Sequence, residues 1–203
     1  PIISKRMARK GNDYRYKDTK NHSFDDFEKI IELCYKNNIK LDIIIGPSHI
    51  RQWEALDLYL GYENWLQWKK DMVISLDKVS KNYKNSRYKI VDFATYNGFT
   101  TEKIPKNPKL QMKYYWESSH YNNDLGKIVI DKLQNSVKVK EEKFGIEINL
   151  LNIDKYIQQL REDRIKYIDI IKYGEKIKYE KYNKSYLHTN YYYKYSYSRK
   201  LFL

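Results

Sequence analysis

A carboxylate and an imidazole three residues apart, Glu117 and His120, are the side chains best suited to chemistry in this 203-residue chain. They lie in the stretch YYWESSHYNND, with Ser118 and Ser119 between them. In acyl transfer by serine hydrolases, a carboxylate holds Nδ1 of a histidine, and Nε2 takes the proton of a hydroxyl nucleophile. The spacing lets Glu117 reach Nδ1 while Nε2 points outward. The turn therefore predicts a general base and the acid that orients it.

A purely structural interpretation of the turn stays open. Glu117 and Ser119 would then only satisfy backbone amides, and His120 would be a surface or packed histidine. Under either interpretation, Ser118 and Ser119 lie too close to His120 in one turn to be its nucleophile. We therefore assign both serines to loop structure.

The segments expected to position this turn alternate between helix and strand, which is typical of an α/β sheet. Residues 23–38 have helical spacing of apolar side chains, with Ser23 as the predicted N-cap. Leu41–Ile45 is a short β-branched run and predicts a strand buried on both faces. Residues 87–93 predict a second strand, and 94–112 predict a long irregular loop that leads into the turn.

Further helices are predicted on both sides of the turn. Trp53 begins the apolar pattern of one helix, which Gly61 ends, and Trp65 belongs to a longer helix that follows. The tryptophans are interpreted as core packing, with substrate binding as the alternative. A helix capped by Asn122 or Asn123 follows the turn. Residues 150–173 predict the last helix.

The formal charge of +13 raises the question of an anionic partner. Lys, Asn, Ile and Tyr are abundant while Gly is scarce, and codon bias in an AT-rich genome is the interpretation we adopt for the charge. Residues 173–203 form a basic, Tyr-rich tail that we expect to be disordered. As the alternative, its tyrosines and lysines would stack on bases and pair with phosphates of single-stranded nucleic acid.

Composition excludes several classes of protein. The single cysteine, Cys34, excludes an intrachain disulfide and a cysteine-based zinc cluster. The sequence has no Gly-rich phosphate loop, so no cofactor is predicted. No run reaches the roughly 18 apolar residues of a membrane span. No metal is predicted either, because the four histidines are scattered: His22, His49, His120 and His188.

The ordered set of segments resembles the SGNH (GDSL-type) hydrolase superfamily over about residues 20–170. MKYYWESSHYNNDLGKIVIDKL is similar to the C-terminal part of bacterial SGNH-like proteins, in which an Asp-x-x-His-Phe/Tyr turn precedes a Gly-containing helix. LDIIIGPSHIRQWEAL, GYENWLQWKKDMV and FGIEINLLNIDKYIQQLREDRIKY look similar too. The resemblance implies an α/β three-layer sandwich with a mostly parallel, SGNH- or flavodoxin-like sheet that lacks its N-terminal part.

This resemblance implies a domain organisation and roles for four residues. A polar segment would cover 1–22, a partial SGNH-like domain 23–172 and the tail 173–203. By resemblance, His120 would be the general base, and Glu117 would replace the family's Asp, with one methylene more in its reach. Ser48 or His49 would donate to an oxyanion or bind substrate, where the family has Gly-x-Asn. As the alternative, His49 is simply packed beside a tight turn.

The nucleophile stays unknown. The resemblance implies a serine in a Gly-Asp-Ser or Gly-Ser-Ser elbow after a first strand, and neither motif is present. Ser4 has no preceding strand, and Ser23 is the predicted cap. The chain begins with Pro1 rather than Met, which favours a fragment or a processed product, and we expect weak or no activity from it.

The predicted function is that of an ester hydrolase or acyltransferase domain. Its substrate would be a small-molecule or carbohydrate ester, and the resemblance implies an acylated envelope carbohydrate at the bacterial cell envelope or in the periplasm. The alternative is a non-enzymatic basic protein that binds nucleic acid or another anionic polymer. A decayed gene product is the third interpretation.

Overall fold

The computed structural model describes residues 15–16, 19–84, 88–107, 109–135 and 141–185 as a mixed α/β fold. The chain divides into two compact units, Pro1–Gln158 and Gln159–Leu203. The five described helices are α1 Ser23–Lys36, α2 Ile50–Leu60, α3 Tyr62–Ser80, α4 Asn123–Leu133 and α5 Ile153–Ser185. The described strands are β1 Ile43–Ile45, β2 Ile90–Asp92, β3 Tyr115–Glu117, β4 His120–Tyr121 and β5 Ile146–Ile148.

Three of these strands form a sheet in the order β1-β2-β5. β1 runs parallel to β2, with Ile43 opposite Ile90, and β5 pairs with β2 in the antiparallel direction. The predicted α/β class is confirmed. Over the described part of the chain, the sheet has one parallel and one antiparallel pair, so a mostly parallel sheet in a three-layer sandwich stays a prediction.

β1 differs from its prediction in length and burial. The strand spans Ile43–Ile45 rather than 41–45, and Ile44 is 36% exposed while Ile43 and Ile45 are buried. Successive strand side chains point to opposite faces of the sheet, so one face of β1 is covered and the other is partly open. The prediction of burial on both faces was therefore wrong.

The N-terminus of α1 is capped by His22, so the prediction of Ser23 as the cap was wrong. His22 Nδ1 accepts a hydrogen bond from the Phe24 amide at 3.2 Å, and Asp25 Oδ2 accepts one from the His22 amide at 3.0 Å. This is the reciprocal pattern of a capping box, with an imidazole nitrogen in place of a hydroxyl. Ser23 is the first helical residue.

α5 is longer than its sequence pattern predicted. It begins at Ile153 and continues to Ser185, past the predicted start of the tail at residue 173. The added stretch is rich in Lys, Tyr and Glu, which are compatible with helix even without a clear apolar pattern in the sequence. Residues 186–203, the rest of the predicted tail, lie outside the described residues.

A small core lies under the β3–β4 hairpin. It consists of five buried side chains: Phe93, Tyr115, Leu125, Val129 and Phe144. Leu125 and Val129 come from α4, and Tyr115 comes from β3. This core fixes one strand of the hairpin against the helix that follows it.

Candidate functional site

The hairpin turn lies beside the C-terminal end of β1. The Tyr115 hydroxyl donates to the Pro47 carbonyl at 2.7 Å, and the His49 amide donates to the Ser118 carbonyl at 2.9 Å. In open α/β sheets, ligands bind in the crevice outside the carboxyl ends of the strands. The sequence-predicted turn is therefore next to the connection that carries Ser48 and His49.

Glu117 and His120 are brought together as cross-strand neighbours in this hairpin. Glu117 Oε1 is hydrogen-bonded to His120 Nδ1. Since an ionised carboxylate can only accept, Nδ1 carries the hydrogen and Nε2 is the basic nitrogen. The His120 side chain is 77% exposed, and Nε2 has no hydrogen-bond partner in the described part of the chain. This is the geometry of an oriented imidazole whose basic nitrogen faces solvent.

The Glu117 carboxylate is held at both oxygens. The Ser119 amide donates to Oε2 at 2.9 Å, and the Ser119 hydroxyl donates to Oε1 at 2.6 Å. Partial burial raises the pKa of Glu117, but the hydrogen bonds from Ser119 and His120 outweigh it and leave this pKa below its ordinary value. Glu117 is therefore an anion at neutral pH, as an orienting acid must be.

His49 is buried and bonded at both ring nitrogens. His49 Nδ1 accepts a hydrogen bond from the Arg51 amide at 3.2 Å, and this bond caps the N-terminus of α2. His49 Nε2 lies 2.8 Å from the Glu102 carbonyl oxygen. Because Nδ1 accepts, the hydrogen is on Nε2 and is donated to Glu102. The predicted substrate-binding role of His49 has no structural test, and its ring already has partners within the protein.

Ser48 has a different environment. The indole Nε1 of Trp53 donates to Ser48 Oγ at 2.7 Å. The hydroxyl oxygen is thus an acceptor, and its own hydrogen donates to none of the residues that the structure describes. Ser48 is partly exposed, so the hydroxyl can donate outward. Its predicted role as an oxyanion donor stays a prediction.

Sequence reasoning missed Glu102, which lies in the loop before the hairpin. Its carboxylate accepts from the Lys113 amide and, at 2.9 Å, from the Tyr114 amide, while its carbonyl accepts from His49. Glu102 thus fixes the start of the hairpin relative to α2. The sequence showed only an acidic residue inside a predicted long loop. It gave no indication of the backbone amides and the histidine that Glu102 binds.

A second missed feature is a buried ion pair at the end of β2. Lys69 Nζ contacts Asp92 Oδ2 and donates to the Ala94 carbonyl at 2.9 Å, and both charged side chains are wholly buried. Tyr156 donates to Asp92 Oδ2 at 2.8 Å. Burial lowers the pKa of Lys69, and the charge of Asp92 opposes that shift. The sequence indicated that Lys69 is buried, because Lys69 follows Trp65 by four residues and therefore lies on the apolar face of α3.

No group of three or more potential metal-ligating side chains occurs within the described ranges. No described helix has the length and apolar character that crossing a membrane requires. Comparisons with protein-family models, with curated proteins and with solved structures found no match to this chain.

His49 gives the first testable consequence. Burial is the main cause that lowers the pKa of His49 from its ordinary 6.5, while the Glu102 hydrogen bond opposes the shift. As pH falls below about 6.5, the unfolded chain takes up a proton that the folded protein resists, so the free energy of unfolding falls. We expect His49→Asn, which keeps the helix cap, to remove this part of the pH dependence.

Urea unfolding of the wild type and His49→Asn at a series of pH values measures the effect. The difference between the two curves isolates His49, because the other histidines are present in both proteins. Parallel curves between pH 7 and 5 would show that His49 does not resist protonation.

Proposed function

We propose that this chain is an SGNH-hydrolase-type α/β domain, a three-layer sandwich with a mostly parallel sheet. Its Glu117–His120 pair acts as the base of an ester hydrolase or acyltransferase. The observation that carries this proposal is the hydrogen bond from Nδ1 to the Glu117 carboxylate, with Nε2 exposed. A parallel β1–β2 pair whose C-terminal end borders the hairpin supports the fold assignment.

The chemistry follows from this arrangement. His120 Nε2 removes the proton of a hydroxyl as its oxygen attacks the acyl carbon and forms the new C–O bond. Glu117 stabilises the resulting imidazolium through Nδ1–H. The imidazolium then returns the proton to the departing alkoxide as the original ester bond breaks. Ser48, whose hydroxyl hydrogen donates to none of the described residues, is proposed to stabilise the oxyanion.

The hydroxyl nucleophile is not found among the described serines. Ser119 bonds on the Nδ1 side of His120, and Ser118 Oγ lies 3.5 Å from Gln52 Oε1 on α2. The proposal therefore takes the attacking hydroxyl from an acceptor molecule. Without it, we expect negligible turnover by His120.

The proposed substrate is an acylated carbohydrate or small-molecule ester, with the bacterial cell envelope or periplasm as the proposed location. Trp116 directly precedes Glu117 in β3 and is 64% exposed. An exposed indole presents a large apolar face to which a sugar ring can pack. Its exposure, in the same hairpin as the proposed base, supports a ring-containing substrate.

Supplying the missing hydroxyl tests this proposal. With 4-nitrophenyl acetate as acyl donor and trifluoroethanol as added nucleophile, we expect transfer to the alcohol to be about a hundredfold faster with wild type than with His120→Ala. Without the alcohol, the two proteins are expected to release 4-nitrophenol equally slowly. His22→Asn, which replaces another histidine while keeping a helix cap, is the matched control.

Two results would contradict the proposal. If wild type and His120→Ala transfer the acetyl group equally at every alcohol concentration, His120 is not a base for this chemistry. If the wild type turns over rapidly without alcohol and His120→Ala abolishes it, then the chain already supplies its own nucleophile.

A non-enzymatic basic protein is the second candidate, because the formal charge is +13. Such a protein would bind nucleic acid or another anionic polymer through phosphate contacts, and its affinity would fall steeply with salt. Fluorescence anisotropy with single-stranded DNA separates the two candidates. Absence of binding at low salt excludes nucleic acid as the partner.

A further inference from the structure

Ser119 has contacts that a simple loop serine does not require. We infer that Ser119 is a positioning residue, which holds the Glu117 carboxylate in the orientation that accepts from His120 Nδ1. This inference rests on the proposed function, because it assigns Ser119 a part in preparing the same base.

The hold on the carboxylate is made at two points. The Ser119 amide reaches Oε2 at 2.9 Å and its hydroxyl reaches Oε1 at 2.6 Å, so both oxygens are fixed by one residue. The Glu117 side chain is 49% exposed and has three rotatable torsions. An exposed chain of this length otherwise samples several rotamers, and two hydrogen bonds limit that freedom.

The oxygen that receives the Ser119 hydroxyl is the one that contacts His120. Glu117 Oε1 accepts from Ser119 Oγ and from His120 Nδ1, and Oγ itself lies 3.1 Å from Nδ1. Because the hydroxyl hydrogen is donated to Oε1, the Oγ lone pairs face Nδ1–H. Glu117 Oε1 and Ser119 Oγ thus both favour a hydrogen on Nδ1, and this leaves Nε2 as the basic nitrogen.

The neighbouring serine provides a contrast. The Ser118 carbonyl accepts from His49, and Ser118 Oγ is directed at Gln52 on α2. In the described part of the chain, Ser118 makes no hydrogen bond to the Glu117 carboxylate or to the His120 ring, although it lies between them in the sequence. Ser118→Ala is therefore the matched control for Ser119→Ala.

The experiment measures the carboxylate directly. The ¹³C chemical shift of Glu117 Cδ is followed against pH in the wild type, Ser119→Ala, Ser118→Ala and Ser119→Thr. We expect the midpoint to rise in Ser119→Ala, because a donor that favours the anion is lost, and to stay unchanged in Ser118→Ala. Ser119→Thr keeps a hydroxyl and is expected to restore the wild-type midpoint.

The acyl-transfer rate with added trifluoroethanol gives a second reading. We expect Ser119→Ala to reduce the His120-dependent rate by about three- to tenfold, since a charge-assisted hydrogen bond at a half-exposed site is lost. Ser119→Cys, which keeps the volume but donates poorly, is expected to behave like Ser119→Ala and covers the case in which the alanine variant does not fold.

Failure of this inference is separable from failure of the proposed function. If the Glu117 midpoint is the same in wild type, Ser119→Ala and Ser119→Cys while His120 still carries its hydrogen on Nδ1, Ser119 does not position Glu117 and only this inference falls. If His120 in the wild type carries its hydrogen on Nε2, the proposed base itself is absent.

Discussion

Lys69→Ala is expected to lower the free energy of unfolding by about 3–5 kcal/mol. The substitution removes the cation that pairs with Asp92, and both side chains are wholly buried. Asp92 also accepts from the Tyr156 hydroxyl at 2.8 Å and from the Ala94 amide at 2.7 Å. These neutral donors stay, but they do not replace a charge. A buried carboxylate without its partner is the cause of the expected loss.

Lys70→Ala is the control for this prediction. Lys70 is the next residue and pairs with Asp154 at 2.6 Å, but the two side chains are 33% and 78% exposed. Exposed pairs contribute about 0–1 kcal/mol, so the two alanine variants should differ strongly in urea unfolding followed by circular dichroism. Equal midpoints for Lys69→Ala and Lys70→Ala would contradict the account of a buried ion pair.

A double variant identifies the cause of the loss. Combining Lys69→Met with Asp92→Asn removes both charges while keeping similar volumes. We expect it to be more stable than Lys69→Ala, because no uncompensated charge is left inside the protein. A double variant at least as unstable as Lys69→Ala would assign the loss to packing instead.

Glu117→Gln is expected to reduce His120-dependent acyl transfer to the level of His120→Ala, which is about a hundredfold loss. A glutamine amide can donate to Nδ1, which would place the hydrogen on Nε2 and leave His120 unable to accept a proton there. The substitution also removes the negative charge that stabilises the imidazolium. Size and shape are nearly unchanged, so the effect reports on tautomer and charge.

Glu32→Gln is the matched control for this substitution. Glu32 is a partly exposed acid on α1, paired with Lys36 at 3.4 Å, and none of its contacts with the described residues involves the hairpin. Both variants are measured with 4-nitrophenyl acetate and added trifluoroethanol. A Glu117→Gln protein that keeps the wild-type rate would show that the carboxylate does not prepare His120.

The parts of this fold that the sequence predicted are local ones. Glu117 and His120 meet because they are three residues apart in a tight hairpin, and Asn122 caps α4 through its own neighbours. Gly61 ends α2 in a positive-φ conformation, as its residue type favours. In each case the interacting groups lie within one turn, so residue type and spacing are sufficient.

What the sequence did not predict depends on contacts between distant segments. Lys69 and Asp92 are 23 residues apart, and Glu102 binds the hairpin amides from a loop without periodicity. His22 rather than Ser23 caps α1, because the His22 imidazole accepts from the Phe24 amide. Residue preferences at the N-cap favour serine over histidine, so they did not predict this cap. Pairing of charged groups across a core is decided by tertiary packing.

The tautomer of His120 decides whether the Glu117–His120 pair can act as a base. Long-range ¹H–¹⁵N correlation spectra of the imidazole, recorded in the wild type and in Glu117→Gln, report which ring nitrogen carries the hydrogen. We expect a hydrogen on Nδ1 in the neutral wild-type ring and a shift toward Nε2 in Glu117→Gln. A hydrogen on Nε2 in the wild type would contradict this expectation, because no basic nitrogen would then face solvent.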